Sequence, residues 1–303
     1  MTSNHSHQAL VFGSISIDKI VNRYGTYDNV LGGSASYALL ATKSKECQLI
    51  GMVGSDFPKN HFNLLGDHSI NLDDLKIEEG KTFSWGGEYK HDFSSRETLY
   101  VDPGVSEKYQ PILSESSKHC EFLLLGNTHP KLQLSVLEQI ESKPFIILDT
   151  FKLYMDIANA DLKKIISKSN LLCINYNEAV HLSGLQNHNL DKIAESILSL
   201  GSDSLIIKQG EEGATFFDKD TSFSIKAYPV GRVMDTTGAG DAFAGGILSS
   251  KMSGKNMEES MIAGAAMASF CIENIAHEGI VKVSHEEYTL RRDWIQSSHT
   301  TLY

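Results

Sequence analysis

The sequence predicts an α/β fold: a doubly wound, mainly parallel sheet flanked by helices, with a small β lid. Three observations carry this. Short apolar runs rich in β-branched residues alternate with longer segments of helical spacing. Continuous apolar runs between helices suit strands buried on both faces, hence a parallel sheet covered on each side. One region, 80–101, breaks that rhythm with aromatic and polar residues alternating around glycines, a hairpin pattern. Finally, a glycine-rich stretch, "VMDTTGAGDAFAGG" (Val233–Gly246), leads into a helical C-terminal third.

In chain order, strands are expected over Ala9–Ile17, Cys47–Gly54, Phe122–Gly126, Phe145–Thr150, Leu171–Asn175 and Ser204–Gly210. Helices are expected over Ser34–Thr42, Leu132–Glu141, Leu162–Ser167, Glu178–Ser183, Leu190–Leu200, Asp241–Met252 and Met257–Ile272. His5 and His7 read as part of a flexible tail rather than a metal site. Segments 18–30 and 80–101 are too polar to form a second core and are expected to project as lid strands. At 303 residues the chain could form one large domain or two smaller ones of roughly 100–200 residues each. With no linker or repeat visible, a single domain over 1–303 is expected.

Composition narrows the function. With 27 Lys+Arg against 38 Asp+Glu the formal charge is −11, and no basic run is visible. The electrostatic footprint of a nucleic-acid or anionic-membrane binder is missing, so neither partner is expected. No apolar run is long enough for a membrane span. Cys47, Cys120, Cys173 and Cys271 are scattered among apolar neighbours and read as buried free thiols of a reducing compartment. A cytoplasmic location is expected. Any phosphate bound by so acidic a chain must be held locally, by backbone amides or a metal.

The glycine stretch offers such a device. Each glycine in a regular element costs roughly 0.5–1 kcal/mol, so Gly238, Gly240, Gly245 and Gly246 suggest that exposed backbone is being used. An extended approach, a tight turn and a helix start leave backbone N–H groups unpaired at the positive end of a helix dipole, which is an anion site without side-chain charge. Gly238 and Gly240 would let those amides converge on a phosphate. Neither the P-loop, the dinucleotide fingerprint nor the nucleophile elbow occurs in the chain. Asp241 falls in the first helical turn. It is either an acidic residue suiting the dipole or a base for a hydroxyl attacking phosphorus.

The string "DTTGAGDAFAGG" (Asp235–Gly246) resembles the C-terminal signature of the ribokinase-like carbohydrate kinases, the PfkB family. "GSISID" (Gly13–Asp18), "LGGSASYALLA" (Leu31–Ala41), "IGMVGSDF" (Ile50–Phe57), "NYNE" (Asn175–Glu178) and "KQGEEG" (Lys208–Gly213) resemble further family segments, in order from about 10 to 282. The resemblance implies a ribokinase-like kinase domain using ATP and Mg2+. It makes Asp241 the catalytic base and the amides of Gly238, Ala239, Gly240 and Asp241 the anion hole. Asp18, Gly32 and Gly33 would hold substrate hydroxyls. Asn175, Lys208, Gly210, Gly213, Thr236 and Asn274 would border the nucleotide, and Glu178 would hold Mg2+ through water. For Glu178 a helix N-terminal role stays open, as does a hairpin turn for the two glycines. Asp235 either shapes the loop or contributes to a monovalent-cation site.

The chain departs from the pattern where ribokinases carry an asparagine after the Gly-Gly motif: Tyr37 stands there. Its bulk argues against ribose, and its likeness to inositol-type members favours a polyol. "GSDFPKN" has Pro58 and Lys59 where the family often has glycine. Asn127, His129 and Asp149 lie at strand ends, where α/β sheets bind ligands, and Asn127 is taken as a substrate contact. Trp85, Tyr89 and Arg96 of the lid would either touch substrate or pack, for which a homodimer through the lid is one form. The expected function is phosphorylation of a small sugar or polyol. The alternatives are a nucleoside kinase of the same fold and a catalytically silent nucleotide- or sugar-binding regulator.

Overall fold

The computed structural model describes residues 7–298 apart from 92, 94 and 187. The chain begins with β1 (His7–Phe12), β2 (Ser16–Asn22), β3 (Gly25–Gly32), α1 (Ser34–Thr42), β4 (Cys47–Gly54), α2 (Lys59–Asp67) and β5 (Leu75–Glu78). It continues through β6 (Ser84–Tyr89), β7 (Arg96–Asp102), β8 (Cys120–Leu125), α3 (Pro130–Leu137), β9 (Phe145–Asp149), α4 (Lys152–Ile157) and α5 (Asn159–Ile166). Next come β10 (Leu171–Asn175), α6 (Tyr176–Ser183), α7 (Leu190–Leu198), β11 (Ser204–Lys208), β12 (Ala214–Asp218) and β13 (Ser222–Ile225). The last elements are α8 (Ala239–Met252), α9 (Met257–Ile272), α10 (Glu278–Lys282) and α11 (His285–Ser297).

The large sheet has the order β13-β12-β11-β10-β9-β8-β1-β4-β5. From β5 to β11 all neighbours are parallel, and the β12–β13 hairpin closes one edge antiparallel. Side chains alternate across the strands, as the strand period of 2 requires. Ala9, Val11, Leu49, Cys173 and Ile206 join one core with α1, α8 and α9. Leu10, Phe12, Ile50, Leu172 and Ile207 join the other, with α3, α5 and α7. The sheet is therefore covered on both faces, the doubly wound arrangement its apolar runs predict.

The second sheet, ordered β3-β2-β6-β7, is the lid. Its first two strands are inserted between β1 and α1. The apolar run Ala9–Ile17, read as one strand, is in fact divided between the two sheets. A Cβ on Gly13 would lie 2.4 Å from Ser34 Oγ, so the chain passes close over the start of α1. There Ser14 accepts from the amides of Ser34 and Ala35 through its hydroxyl and carbonyl, at 3.0 Å each. Those bonds turn the backbone out of the large sheet. His7 lies in β1 rather than in a tail, and His5 is outside the described residues.

Two glycines of the signature prove to serve packing rather than exposure. A Cβ on Gly245 would meet the Ala38 carbonyl of α1 at 2.2 Å, and one on Gly246 would meet Gly264 Cα of α9 at 2.8 Å. The bare backbone lets α8 press against both helices. All four cysteines are free and buried, and burial raises the thiols of Cys47, Cys120 and Cys173 to about 12. Among the described residues no helix is long and apolar enough to cross a membrane. Gly246→Val should overpack the α8–α9 contact and cost about 1–3 kcal/mol. A urea titration should show this as a lower midpoint with an unchanged slope.

Candidate functional site

The C-terminal ends of the parallel strands converge on one face, where α/β sheets bind ligands. Three helices begin there. α1 starts at Gly33 (φ 92), α6 at Asn175 and α8 at Gly238 (φ 74). The two glycines take backbone conformations that a side chain would oppose.

Between the starts of α1 and α8 and the lid lies a cavity of about 820 Å³, and Asp18, Gly33, Tyr37, Asn127, Gly238 and Asp241 all line it. Residues more than 200 positions apart in sequence thus share one wall. Gly32 lies behind it, because a Cβ there would be 1.9 Å from Asp18 Oδ2; its missing side chain gives Asp18 room. One carboxylate oxygen of Asp18 and the side-chain oxygen of Asn127 are buried without a protein partner, so two acceptors await donors from a ligand. Asp241, on the first turn of α8, accepts no side-chain hydrogen bond from the described residues and is likewise free to take a proton.

Tyr37 is only 1% exposed. A Cβ on Gly238 would fall 2.3 Å from its ring, so the phenol forms the floor beneath the glycine turn as well as part of the cavity. Of the lid residues, Trp85 and Arg96 line the cavity together with Phe151, just before α4, and Tyr154 within it, and the Arg96 guanidinium lies over the Trp85 ring. Tyr89 instead is buried and shares a 2.6 Å hydrogen bond with Thr237 Oγ1. Thr237, which sequence reasoning passed over in favour of Thr236, donates in turn to Asp235 Oδ1 from its hydroxyl (2.7 Å) and its amide (2.9 Å). Asp235 Oδ2 accepts from Ala276 N at 2.9 Å. The only sequence signal for Thr237 was its place inside the signature. Nothing in the sequence marked Phe151 or Tyr154.

The residues assigned to the nucleotide lie on the other side of the glycine turn. Lys208 Nζ donates to Asp149 Oδ2 at 3.1 Å and lies against Gly240, where a Cβ would be 2.9 Å away. Asn175 and Glu178 form a reciprocal capping box on α6, each side chain accepting the other's amide. Gly210 (φ 64) and Gly213 (φ 102) shape the turn from β11 to β12, and a Cβ on Gly213 would strike the Ile225 carbonyl at 2.0 Å. Thr236 is half-buried in the loop. Asn274 sits in the turn after α9, beside Gly279; Ile272 of the same stretch receives the amides of Met234 and Asp235, so this turn backs the glycine loop.

Three carboxyls here are held far above the usual range. Burial raises Asp18 to about 7 despite the Ser16 hydroxyl and Trp85 amide that favour its charge. Burial and the Asp149 charge raise Glu178 to about 7. The same two causes raise Asp241 to about 7, opposed by Lys208 and Arg96. For Lys208 burial acts to lower the pKa, but the carboxylates of Asp149 and Glu178 and the Cys173 thiol outweigh it and raise the value.

Comparison with known proteins assigns this architecture to the phosphotransferases. The family model for pfkB family carbohydrate kinases matches residues 6–277, and the chain belongs to that family. It is 25% identical over 245 residues to a nucleoside kinase of Methanocaldococcus jannaschii, covering 80% of this chain and 79% of the other. It is 29% identical over 248 residues to an uncharacterized sugar kinase of Archaeoglobus fulgidus, covering 78% and 95%. The crystal structure of ribokinase from Cryptococcus neoformans var. grubii in complex with ADP shares the fold at a TM-score of 0.79 and 21% identity, covering 94% of this chain and all of that one. The protein is thus a carbohydrate or nucleoside kinase.

A carboxyl whose folded pKa exceeds its unfolded one stabilises the fold at low pH and loses that contribution as pH rises through the folded value. Stability of the ligand-free protein should therefore fall from about pH 5 to about pH 8 as Asp18, Glu178 and Asp241 ionise. Asp18→Asn should flatten that fall and gain roughly 1–3 kcal/mol at about pH 8. Chemical unfolding at a series of pH values measures both; a wild-type curve rising through this range would contradict the burial argument.

Proposed function

We propose that the protein is an ATP- and Mg2+-dependent kinase transferring the γ-phosphoryl group to an alcohol of a small sugar or polyol. In this reading residues 1–303 form one kinase domain, its lid segments 18–30 and 80–101 folded over the acceptor. One observation carries it. Asp241, an unengaged carboxyl at the N-terminus of α8, shares a cavity with Asp18 and Asn127, whose unpartnered oxygens suit hydroxyl donors.

The chemistry follows from those positions. Asp18 and Asn127 accept hydrogen bonds from acceptor hydroxyls, Gly33 lets the ring approach, and Gly32 acts by leaving Asp18 its room. Asp241 takes the proton of the attacking hydroxyl. The amides of Gly238, Ala239, Gly240 and Asp241 meet the non-bridging oxygens where negative charge accumulates, a preorganised arrangement. The lid and the aromatic wall keep water from the phosphoryl group.

The nucleotide side fits a phosphate-bound Mg2+ better than a protein cage. Among the described residues no group of three or more His, Cys, Asp or Glu could hold a metal. Glu178 gives one oxygen to the Asn175 amide and keeps the other for a metal-bound water, consistent with the reluctance of Mg2+ to lose its hydration shell. Asn175 and Glu178 would hold Mg2+ through water, and the ion when bound would supply neutralisation of the phosphate charge. Asn175, Lys208, Gly210, Gly213, Thr236 and Asn274 would border the nucleotide. For Asp235 we favour loop shaping over a cation site, since its carboxylate already accepts three hydrogen bonds.

A second reading, a nucleoside kinase, is favoured by Trp85, Phe151 and Tyr154 on the cavity wall, whose faces suit a base, and by a volume near the upper end of the usual 300–1,000 Å³ range. ADP release measured with sugars, inositols and nucleosides separates the two; turnover of nucleosides alone would reject the polyol assignment. A cytoplasmic location accords with four buried free thiols. We also propose a homodimer through the lid, where the edge strand β7 exposes Leu99, Tyr100 and Val101. A monomer in sedimentation at high concentration would exclude it. With the best acceptor, Asp241→Asn should lower kcat by at least about 10²-fold while nucleotide affinity stays within a few-fold. The wild-type rate should drop as pH falls through about 7, where Asp241 takes up a proton. Near-wild-type turnover in the variant would remove Asp241 as the base.

A further inference from the structure

Lys208 occupies a position that an ordinary structural ion pair does not explain. It is the last residue of β11, its side chain 16% exposed, and it reaches across the end of β10 to Asp149 at the end of β9, itself 8% exposed. Strands β9, β10 and β11 are already joined by parallel ladders, so the pair adds no connection that the sheet lacks. A buried pair of this kind is also a weak source of stability once its desolvation is counted. What is distinctive is its neighbour. The ammonium lies close to Gly240: a Cβ there would stand 2.9 Å from Nζ, so a side chain at 240 would push the lysine aside. The absence of a side chain there therefore clears a path for Lys208 to the anion loop.

The surrounding charge points the same way. Asp149 and Glu178 both act on Lys208, and both, with Lys208 and Arg96, act on Asp241. Several carboxylates thus face the place where a phosphoryl group would arrive, and on the nucleotide side Lys208 is the cation among them. An ammonium carries three N–H donors on a flexible stem, and Asp149 engages one of them.

We propose that Lys208 is a catalytic residue for phosphoryl transfer, held beside Gly240 by Asp149 and donating to a non-bridging γ-phosphoryl oxygen when nucleotide fills the loop. The proposal rests on reading the site as that of a kinase. In the transfer, the acceptor oxygen bonds to the γ-phosphorus as its proton passes to Asp241. The bond from phosphorus to the β,γ-bridging oxygen breaks, and its electron pair leaves on ADP. Lys208 meets charge on an oxygen that takes part in neither bond, and Asp149 is a positioning residue that acts through it.

Titration calorimetry with Mg–AMP-PNP and Mg–ADP, together with pH–rate profiles, tests this on Lys208→Met, Lys208→Arg and Asp149→Asn. Lys208→Met should weaken AMP-PNP binding about 10–100-fold, as for a lost hydrogen bond to a charged group, and leave ADP binding within threefold. Lys208→Arg should restore most of the AMP-PNP affinity. The acid limb of kcat/KM should move to higher pH in Lys208→Met, where a cation beside Asp241 is gone. It should move to lower pH in Asp149→Asn, where an anion is gone. These opposite shifts follow from the two charges beside Asp241 alone; the loss of AMP-PNP affinity without loss of ADP affinity is what a tie with only a structural role would not produce. Equal loss of both nucleotides in Lys208→Met, or unchanged binding of both, would overturn the proposal. If Lys208→Met does not fold, Asp149→Asn decides: weaker AMP-PNP binding with ADP binding held within threefold supports the proposal, because Lys208 is then no longer held in place, and an unchanged ratio of the two affinities overturns it. Failure of wild-type protein to bind AMP-PNP would instead overturn the kinase reading itself.

Discussion

The geometry of the site depends on a carboxylate that faces away from the cavity. Asp235 is fully buried and accepts from the Thr237 amide and hydroxyl and from the Ala276 amide. These bonds fix the loop that precedes α8 to the turn that follows α9. They hold Gly238 in its left-handed conformation against the face of Tyr37, and this sets where the first amides of α8 point. Tyr89 extends the same chain of bonds into the lid through Thr237. Burial makes the Asp235 charge costly and raises its pKa, and three donors offset that cost. Lid, loop and C-terminal helices are thereby tied at one point.

Electrostatics around that point are strained on purpose. The chain has a net charge of −11 and yet gathers Asp18, Asp149, Glu178 and Asp241 around the place a polyanion would enter. Positive potential comes from sources that do not appear in a charge count: backbone amides at a helix start, and a lysine enclosed by acids. Enclosure raises Asp241 to about 7, a value that would suit the proposed role as a base close to neutrality. Such a site is expected to cost stability in the absence of ligand.

The cavity joins two kinds of wall. Its inner end is made by elements of the large domain and by the Gly-Gly turn, with polar groups in fixed positions. Its outer wall is made by the lid and α4, with aromatic faces and Arg96. Because β2 and β3 are inserted between β1 and α1, Asp18 is carried by a strand of the lid sheet itself, immediately after the large-sheet strand β1.

Much of this was legible in the linear chain. Apolar runs without alternation give a doubly covered parallel sheet, since burial on both faces leaves no polar positions; β4, β10 and α1 fall at their expected bounds. The glycine turn and the Gly-Gly motif were legible because their backbone requirements are local. Other features depended on the tertiary structure. The division of the run at Gly13 depends on Ser34, in the next helix. Gly245 and Gly246 serve α1 and α9, which no local pattern reveals. Lys208 finds Asp149 across 59 residues and Tyr89 finds Thr237 across 148. Local sterics and periodicity are written in neighbouring residues, whereas the partner of a buried charge or hydroxyl is decided only when distant segments are brought together by the burial of apolar surface.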